Sequence, residues 1–236
     1  PLPPLTDAQI QARRDLLAME QAKMTKAQAV ANLLALFALE EVSPDQYRVT
    51  TGDARGERLF GGQVIAQAMV AALRSAPADK AIHSLHAYFL RGGSDQVPVD
   101  LTVNRDFDGR SFANRRVVAE QDGKVILNLA ASFQLVQDGM AHQIAMPEVP
   151  SPDECLPDYL DSIEKAEVSE QQFGWYARVK PIEIRNLAFR QHTAGSPVPN
   201  RYAMWFRAAA PLPDDPIVHY AALAYASDYG LLGSSW

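Results

Sequence analysis

The chain has 236 residues, 22 of them Lys or Arg and 28 Asp or Glu, for a net charge of -6, and 47% of it is hydrophobic. Such a length suits one large domain or two of about 100 residues each, and the acidic balance argues against a nucleic-acid backbone or an anionic membrane as partner. The one cysteine, Cys155, excludes an internal disulfide and fits a reducing, cytoplasmic compartment.

Residues 1–26 read as an appendage. Thr6 and Gln9 have capping-box spacing ahead of a polar, weakly amphipathic helix that runs to about Met24. The opening residues lack the basic and small-residue pattern of a signal peptide, and the sequence starts at Pro1 rather than Met, so its ends need not be natural. Thr25 and Gln28 repeat the capping spacing before a stronger helix, Ala29 to Leu39, with Val30, Leu33, Leu34 and Phe37 on one face. The uncharged run from Ala27 to Leu39 has 13 residues and includes Gln28 and Asn32, too short and polar to cross a bilayer. A short strand, Gln46 to Thr50, and a loop, Gly52 to Gly56, follow.

The stretch Arg58 to Arg74 organises the rest. Gly61, Gly62 and Gln63 open it, and apolar residues from Val64 to Leu73 fall on every side of a 3.6-residue helix, which predicts a helix buried all round. Its many alanines allow a sheet to approach closely. Ala81 to Arg91, Val97 to Val103, Ser111 to Gln121 and Val125 to Leu135 read as strands. Asp108-Gly109 marks a turn, and Asp122-Gly123 between two alternating runs is the strongest short hairpin signal available. One buried helix followed by antiparallel strands predicts an α+β fold in which the sheet curls around the helix.

Pro147, Pro150, Pro152 and Pro157 mark a linker, residues 147–180, and a repeat boundary. Pro181 to Arg190 and Arg201 to Ala209 read as strands. Asp215 and Pro216 then start a second apolar, Ala-rich helix, Ile217 to Tyr229. The shared order of strand and buried helix suggests a duplication, with repeats at 27–146 and 181–236. Only seven residues follow Tyr229, so the second repeat is expected to be incomplete here, its helix needing further strands or another chain to cover it.

Five stretches together resemble the acyl-CoA thioesterase II family: Leu59-Phe60-Gly61-Gly62-Gln63-Val64-Ile65-Ala66-Gln67-Ala68, His83-Ser84-Leu85-His86-Ala87-Tyr88-Phe89-Leu90-Arg91, Arg105 to Phe112 with Arg115-Arg116-Val117, Ala131-Ser132-Phe133-Gln134, and Leu223-Ala224-Tyr225-Ala226-Ser227-Asp228. The resemblance implies a double hotdog, each repeat a long helix wrapped by an antiparallel sheet. It implies hydrolysis of fatty acyl-CoA to free acid and CoA, without metal, cofactor or covalent acyl-enzyme, and a homo-oligomer. It also implies an aspartate, a Ser or Thr, and a Gln that position the attacking water. The aspartate falls on Asp228; the other two lie downstream in the family, and the sequence ends at Trp236 before reaching them.

Asp228 is the sole acid between Asp215 and Trp236. Burial and a helix C-terminus would both raise its pKa and suit it to general-base work; the alternative is a helix-end aspartate bonded to the turn at Gly230. Backbone N–H groups at Gly61, Gly62 and Gln63 could stabilise an oxyanion or hold an acyl carbonyl, or the glycines serve close packing alone. Gly61-Gly62-Gln63 also occurs in peptide-release factors, a poor fit for an acidic chain with an apolar helix here. Arg110, Arg115 and Arg116 could meet CoA phosphates or form a solvated strand face. His83 and His86, three apart on a strand, point to opposite faces and do not make a metal site. No Gly-x-Ser-x-Gly elbow is present, nor the His–acid arrangement of a hotdog hydratase. A non-catalytic acyl-CoA binder is the alternative of another class.

Overall fold

The computed structural model describes residues 3–49, 58–166, 168–187 and 203–229. In chain order the elements are α1 (Asp7–Lys23), α2 (Lys26–Leu36), β1 (Glu40–Ser43), β2 (Gln46–Val49), α3 (Gly61–Ser75), β3 (Lys80–Phe89), β4 (Val99–Asp108), β5 (Phe112–Gln121) and β6 (Lys124–Leu135). After them come α4 (Asp158–Asp161), α5 (Glu170–Ala177), β7 (Ile182–Asn186), β8 (Met204–Ala208) and α6 (Pro216–Ser227). The described residues fall into two compact units, one within 1–33 and 144–212, the other within 34–143 and 213–229.

The second unit is built on α3. Ala66, Ala68, Ala71 and Ala72 are wholly buried, and Val64, Ile65, Met69 and Val70 are buried around them, so the helix is enclosed as its composition predicts. A six-stranded antiparallel sheet in the order β1-β2-β4-β5-β6-β3 packs on it through β3 to β6. Inward residues alternate with outward ones: Val99, Leu101 and Val103 on β4, Ala113, Val117 and Ala119 on β5, Leu127, Leu129, Ala131 and Phe133 on β6. Val125 departs from the predicted alternation, because a register shift between Ala119 and Glu120 turns Ile126 inward beside Leu127. Asp122 (φ 49°) and Gly123 (φ 69°) both take left-handed backbone, and Gln121 pairs with Lys124 across them. That is the two-residue turn whose twist matches the strands it joins.

Strand β1 was not foreseen. Its residues Glu-Glu-Val-Ser carry no apolar alternation; it is an edge strand held to β2 by a turn through Asp45 (φ 62°). Among the described residues, α6 is not wrapped by strands. Its small face, Ala221, Ala222, Ala224 and Ala226, is buried and the helix packs on α3, while Leu223 stays 55% exposed.

In the first unit, residues expected as a helical appendage (1–26) and as a linker with a weak helical pattern (147–180) pack on each other. Arg13 on α1 is 1% exposed and donates to the carbonyls of Ser162, Ile163 and Lys165, pairs with Glu170 at 2.8 Å and lies 5.1 Å over the Phe173 ring. Val168, Phe173 and Ala177 form a core with Leu16, Leu17, Ile163 and Tyr176 around it. The segment between the prolines and β7 thus folds as α4 and α5, held by α1. Strands β7 and β8 pair antiparallel, with Ile182 and Ile184 buried; the predicted continuation from 188 to 202 lies outside the described residues.

Beside Ile184, Glu183 is buried against Lys26 (2.8 Å), Arg185 (3.0 Å) and Arg207 (3.1 Å). Burial alone would raise its pKa, but hydrogen bonds from Lys26 and Arg185 and the charges of Lys26 and Arg207 outweigh burial and hold it at about 2. A carboxylate depressed in the folded state stabilises it fully above the unfolded pKa of about 4.3 and loses that contribution as pH falls through the folded value. Glu183→Gln is therefore expected to cost about 2–3 kcal/mol at neutral pH and to flatten the fall in stability between about pH 4.5 and 2. Urea unfolding followed by tryptophan fluorescence across that range checks it; an unchanged slope would show that Glu183 carries none of the acid sensitivity.

Candidate functional site

Helix α3 begins without a cap of its own. Phe60 holds the N-cap position and offers no side-chain hydrogen bond, although the first N–H groups of a helix need acceptors. The acceptor comes from α6. Asp228, the C-cap residue of α6, aims its carboxylate at the start of α3, and the Gly62 N–H donates to Oδ2 at 2.8 Å. The aspartate predicted to carry the chemistry and the glycines predicted to open the helix therefore meet, 166 positions apart. The bond runs to Gly62; the alternative partner, the turn at Gly230, lies outside the described residues.

A side chain at either position would press on its neighbours. A Cβ on Gly61 would stand 2.6 Å from Asp228 Oδ2 and 2.8 Å from Phe89 Cζ. A Cβ on Gly62 would fall on the Tyr225 carbonyl oxygen and 2.5 Å from Phe60 Cε1. The packing explanation of the two glycines thus holds, and it is the same close approach that lets Asp228 reach the helix. Three rings brace the junction. Phe60 lies 5.0 Å from both Tyr225 and Tyr229, which lie 5.9 Å from each other. Tyr225 and Tyr229 are one helical turn apart and so share a side; that spacing was legible, but it carried no chemical label.

Burial pushes the Asp228 carboxyl above its ordinary value, and the Gly62 N–H only partly opposes this. The positive end of α3 favours the carboxylate form as well. Oδ1 has no hydrogen bond to any described residue. Gln63, next in the motif, has its Nε2 buried and without a hydrogen-bond partner among the described residues. Buried amide donors are almost always satisfied. One end of α3 therefore gathers a half-buried base with raised pKa and a buried amide donor.

The arginines are elsewhere. Arg115 is wholly buried at the other end of α3. Its Nη2 donates to the Ser75 carbonyl (2.9 Å) and Asp108 Oδ1 (2.7 Å), its Nε to Ser75 Oγ (3.0 Å), and its Nη1 to the Asn114 carbonyl (2.8 Å). It closes the C-terminus of the helix, where a cation is favoured, and the expectation that it meets CoA phosphates is corrected accordingly. Arg116 is half exposed on the outer face of β5 and pairs with Asp106 at 3.2 Å; Arg110 is exposed. His83 sits near Phe112 (6.3 Å between rings) and His86 near Tyr88 (4.6 Å). No group of three metal-binding side chains occurs among the described residues, and no described helix is long and apolar enough to cross a membrane. Cys155 is partly buried and free of any disulfide.

Residues 50–134 match the family model described as acyl-CoA thioesterase N-terminal domain, and residues 175–236 match that described as acyl-CoA thioesterase. The chain is 33% identical over 199 residues to acyl-CoA thioesterase 2 of Haemophilus influenzae, covering 84% of this chain and 70% of that one. It is 38% identical over 216 residues to acyl-coenzyme A thioesterase 8 of Rattus norvegicus, covering 84% of this chain but 65% of that relative. Among solved structures, the acyl-CoA thioesterase II TesB2 of Mycobacterium marinum superposes with a TM-score of 0.66 at 37% identity, covering 86% of this chain and 69% of that one. A hot dog fold protein of Alicyclobacillus acidocaldarius, 21% identical with a TM-score of 0.61, covers 84% of this chain and 68% of its own and shares the fold.

Proposed function

We propose that this chain, which belongs to the acyl-CoA thioesterase II family, hydrolyses fatty acyl-CoA thioesters to free fatty acid and CoA with Asp228 as the base. The single observation that carries the proposal is the Asp228 carboxylate seated on the Gly62 N–H at the start of α3, its second oxygen without a hydrogen bond among the described residues. Water held by Oδ1 attacks the thioester carbonyl and gives its proton to the carboxylate. The tetrahedral intermediate collapses, the C–S bond breaks, and the proton passes to the departing CoA thiolate. A carboxyl with raised pKa takes that proton more readily near neutral pH than an ordinary one.

Gln63 Nε2 is the donor left over at this end of the helix, and it suits the carbonyl oxygen on which charge develops. The Gly62 N–H already serves Asp228, so Gly61 and Gly62 act by holding the base in place. Arg116, half exposed and paired with Asp106, is the arginine of the predicted pair that a CoA phosphate can reach. By family resemblance a Ser or Thr and a Gln join Asp228 on the water. A cytoplasmic homo-oligomer belongs to the same proposal, supported by the one cysteine and by the resemblance.

The test is release of free CoA from a medium-chain acyl-CoA by the full-length protein, followed with a thiol reagent. Turnover well above the uncatalysed rate is expected. Saturable binding without release would favour the acyl-CoA binder instead.

A further inference from the structure

Phe89 ends β3, an edge strand of the sheet, and is 50% exposed. A single exposed phenylalanine means little; this one has a particular neighbour. The spot where a Gly61 Cβ would sit lies 2.8 Å from Phe89 Cζ, 2.9 Å from its Cε1 and 2.6 Å from Asp228 Oδ2. An apolar ring and the Asp228 carboxylate thus border the same point. Alternation along the strand sends Tyr88 to the opposite face, where its ring lies tilted 4.6 Å from that of His86, so Phe89 alone of the two turns toward α3.

A thioester whose carbonyl is poised over Asp228 must lead its acyl chain away past whatever stands beside the carboxylate. We infer that Phe89 is the wall on which the first methylenes of that chain lie, making it a determinant of acyl chain-length preference. The inference rests on the thioesterase proposal above. An aliphatic chain covering an exposed aromatic face removes apolar surface from water on both sides, and the gain grows with each methylene in contact.

The experiment measures kcat/KM for butyryl-CoA, octanoyl-CoA and lauroyl-CoA with the full-length protein and its Phe89→Ala and Phe89→Trp variants. Phe89→Ala is expected to lower the lauroyl-to-butyryl ratio about tenfold, and Phe89→Trp to move it the other way or shift the preferred length. Circular dichroism confirms that each variant folds. The same ratio in all three proteins, or a uniform loss at every chain length, would overturn the inference while leaving the thioesterase proposal standing. A wild-type protein that cleaves none of the three would remove both.

Discussion

Asp228→Asn in the full-length protein is expected to lower kcat by about 10²–10⁴-fold while the protein stays folded. The two side chains have the same shape, and an asparagine carbonyl still accepts the Gly62 N–H, so the start of α3 keeps its acceptor. The amide cannot take a proton from water. Binding of the CoA ester does not need that proton, so KM should move little, which is the signature of an interaction made in the transition state. The wild type should also lose activity in acid at a pH above the ordinary carboxylate range, because burial raises the Asp228 pKa and the base works only when ionised. The stability effect has the opposite sign. A carboxyl whose folded pKa is raised binds its proton more tightly folded than unfolded, so its contribution is best at low pH and is lost as pH rises through the folded value. The neutral asparagine should therefore be as stable as the wild type or slightly more so at pH 7. Near-normal turnover would remove Asp228 from the chemistry. A large drop in melting temperature would make it a helix cap and nothing more.

Local signals account for what was legible in the sequence. The enclosed helix α3 follows from apolar residues on all its sides, and the β5–β6 hairpin from Asp122-Gly123, whose φ values of 49° and 69° few other pairs tolerate. What was hidden depends on residues far apart. Arg13 and Arg115 have the sequence look of surface cations, yet they are 1% and 0% exposed, because Arg13 finds three carbonyls in a distant segment and Arg115 reaches the Ser75 carbonyl at the end of α3 as well as the Asn114 carbonyl beside it. The crowded prolines suggested a linker, but Pro152 opens a turn capped by Ser151, and Pro157 precedes α4, the positions in a helix start that proline tolerates. At the candidate site, Asp228 and Gly61-Gly62-Gln63 each stood out separately. Their meeting did not, since it rests on two helices touching through alanines and glycines, which any Ala-rich helix could do.

Alanine at either glycine tests that contact, and the two positions should fail differently. At Gly62 the new Cβ would land on the Tyr225 carbonyl oxygen and on the Phe60 ring. A backbone carbonyl cannot step aside without moving α6, so Gly62→Ala should destabilise the protein by about 2–4 kcal/mol. The roughly 1 kcal/mol that alanine gains over glycine inside a helix is too small to offset this. At Gly61 the obstacles are the ends of two side chains, Asp228 Oδ2 and the Phe89 ring. Both can rotate, so stability should fall by less than about 1 kcal/mol. The rotation takes the carboxylate off the Gly62 N–H, however, and a base displaced by an ångström can lose about 10²-fold in rate. Gly61→Ala is thus expected to fold nearly normally and turn over at least tenfold more slowly, and Gly62→Ala to melt early. Thermal unfolding and kcat measured on both variants separate the cases. Wild-type turnover in Gly61→Ala beside an inactive Asp228→Asn would mean that the base works from a position other than the start of α3. A fully stable Gly62→Ala would mean that α6 does not press on α3 at all, and with that contact would go the reason the two glycines and the aspartate belong to one site.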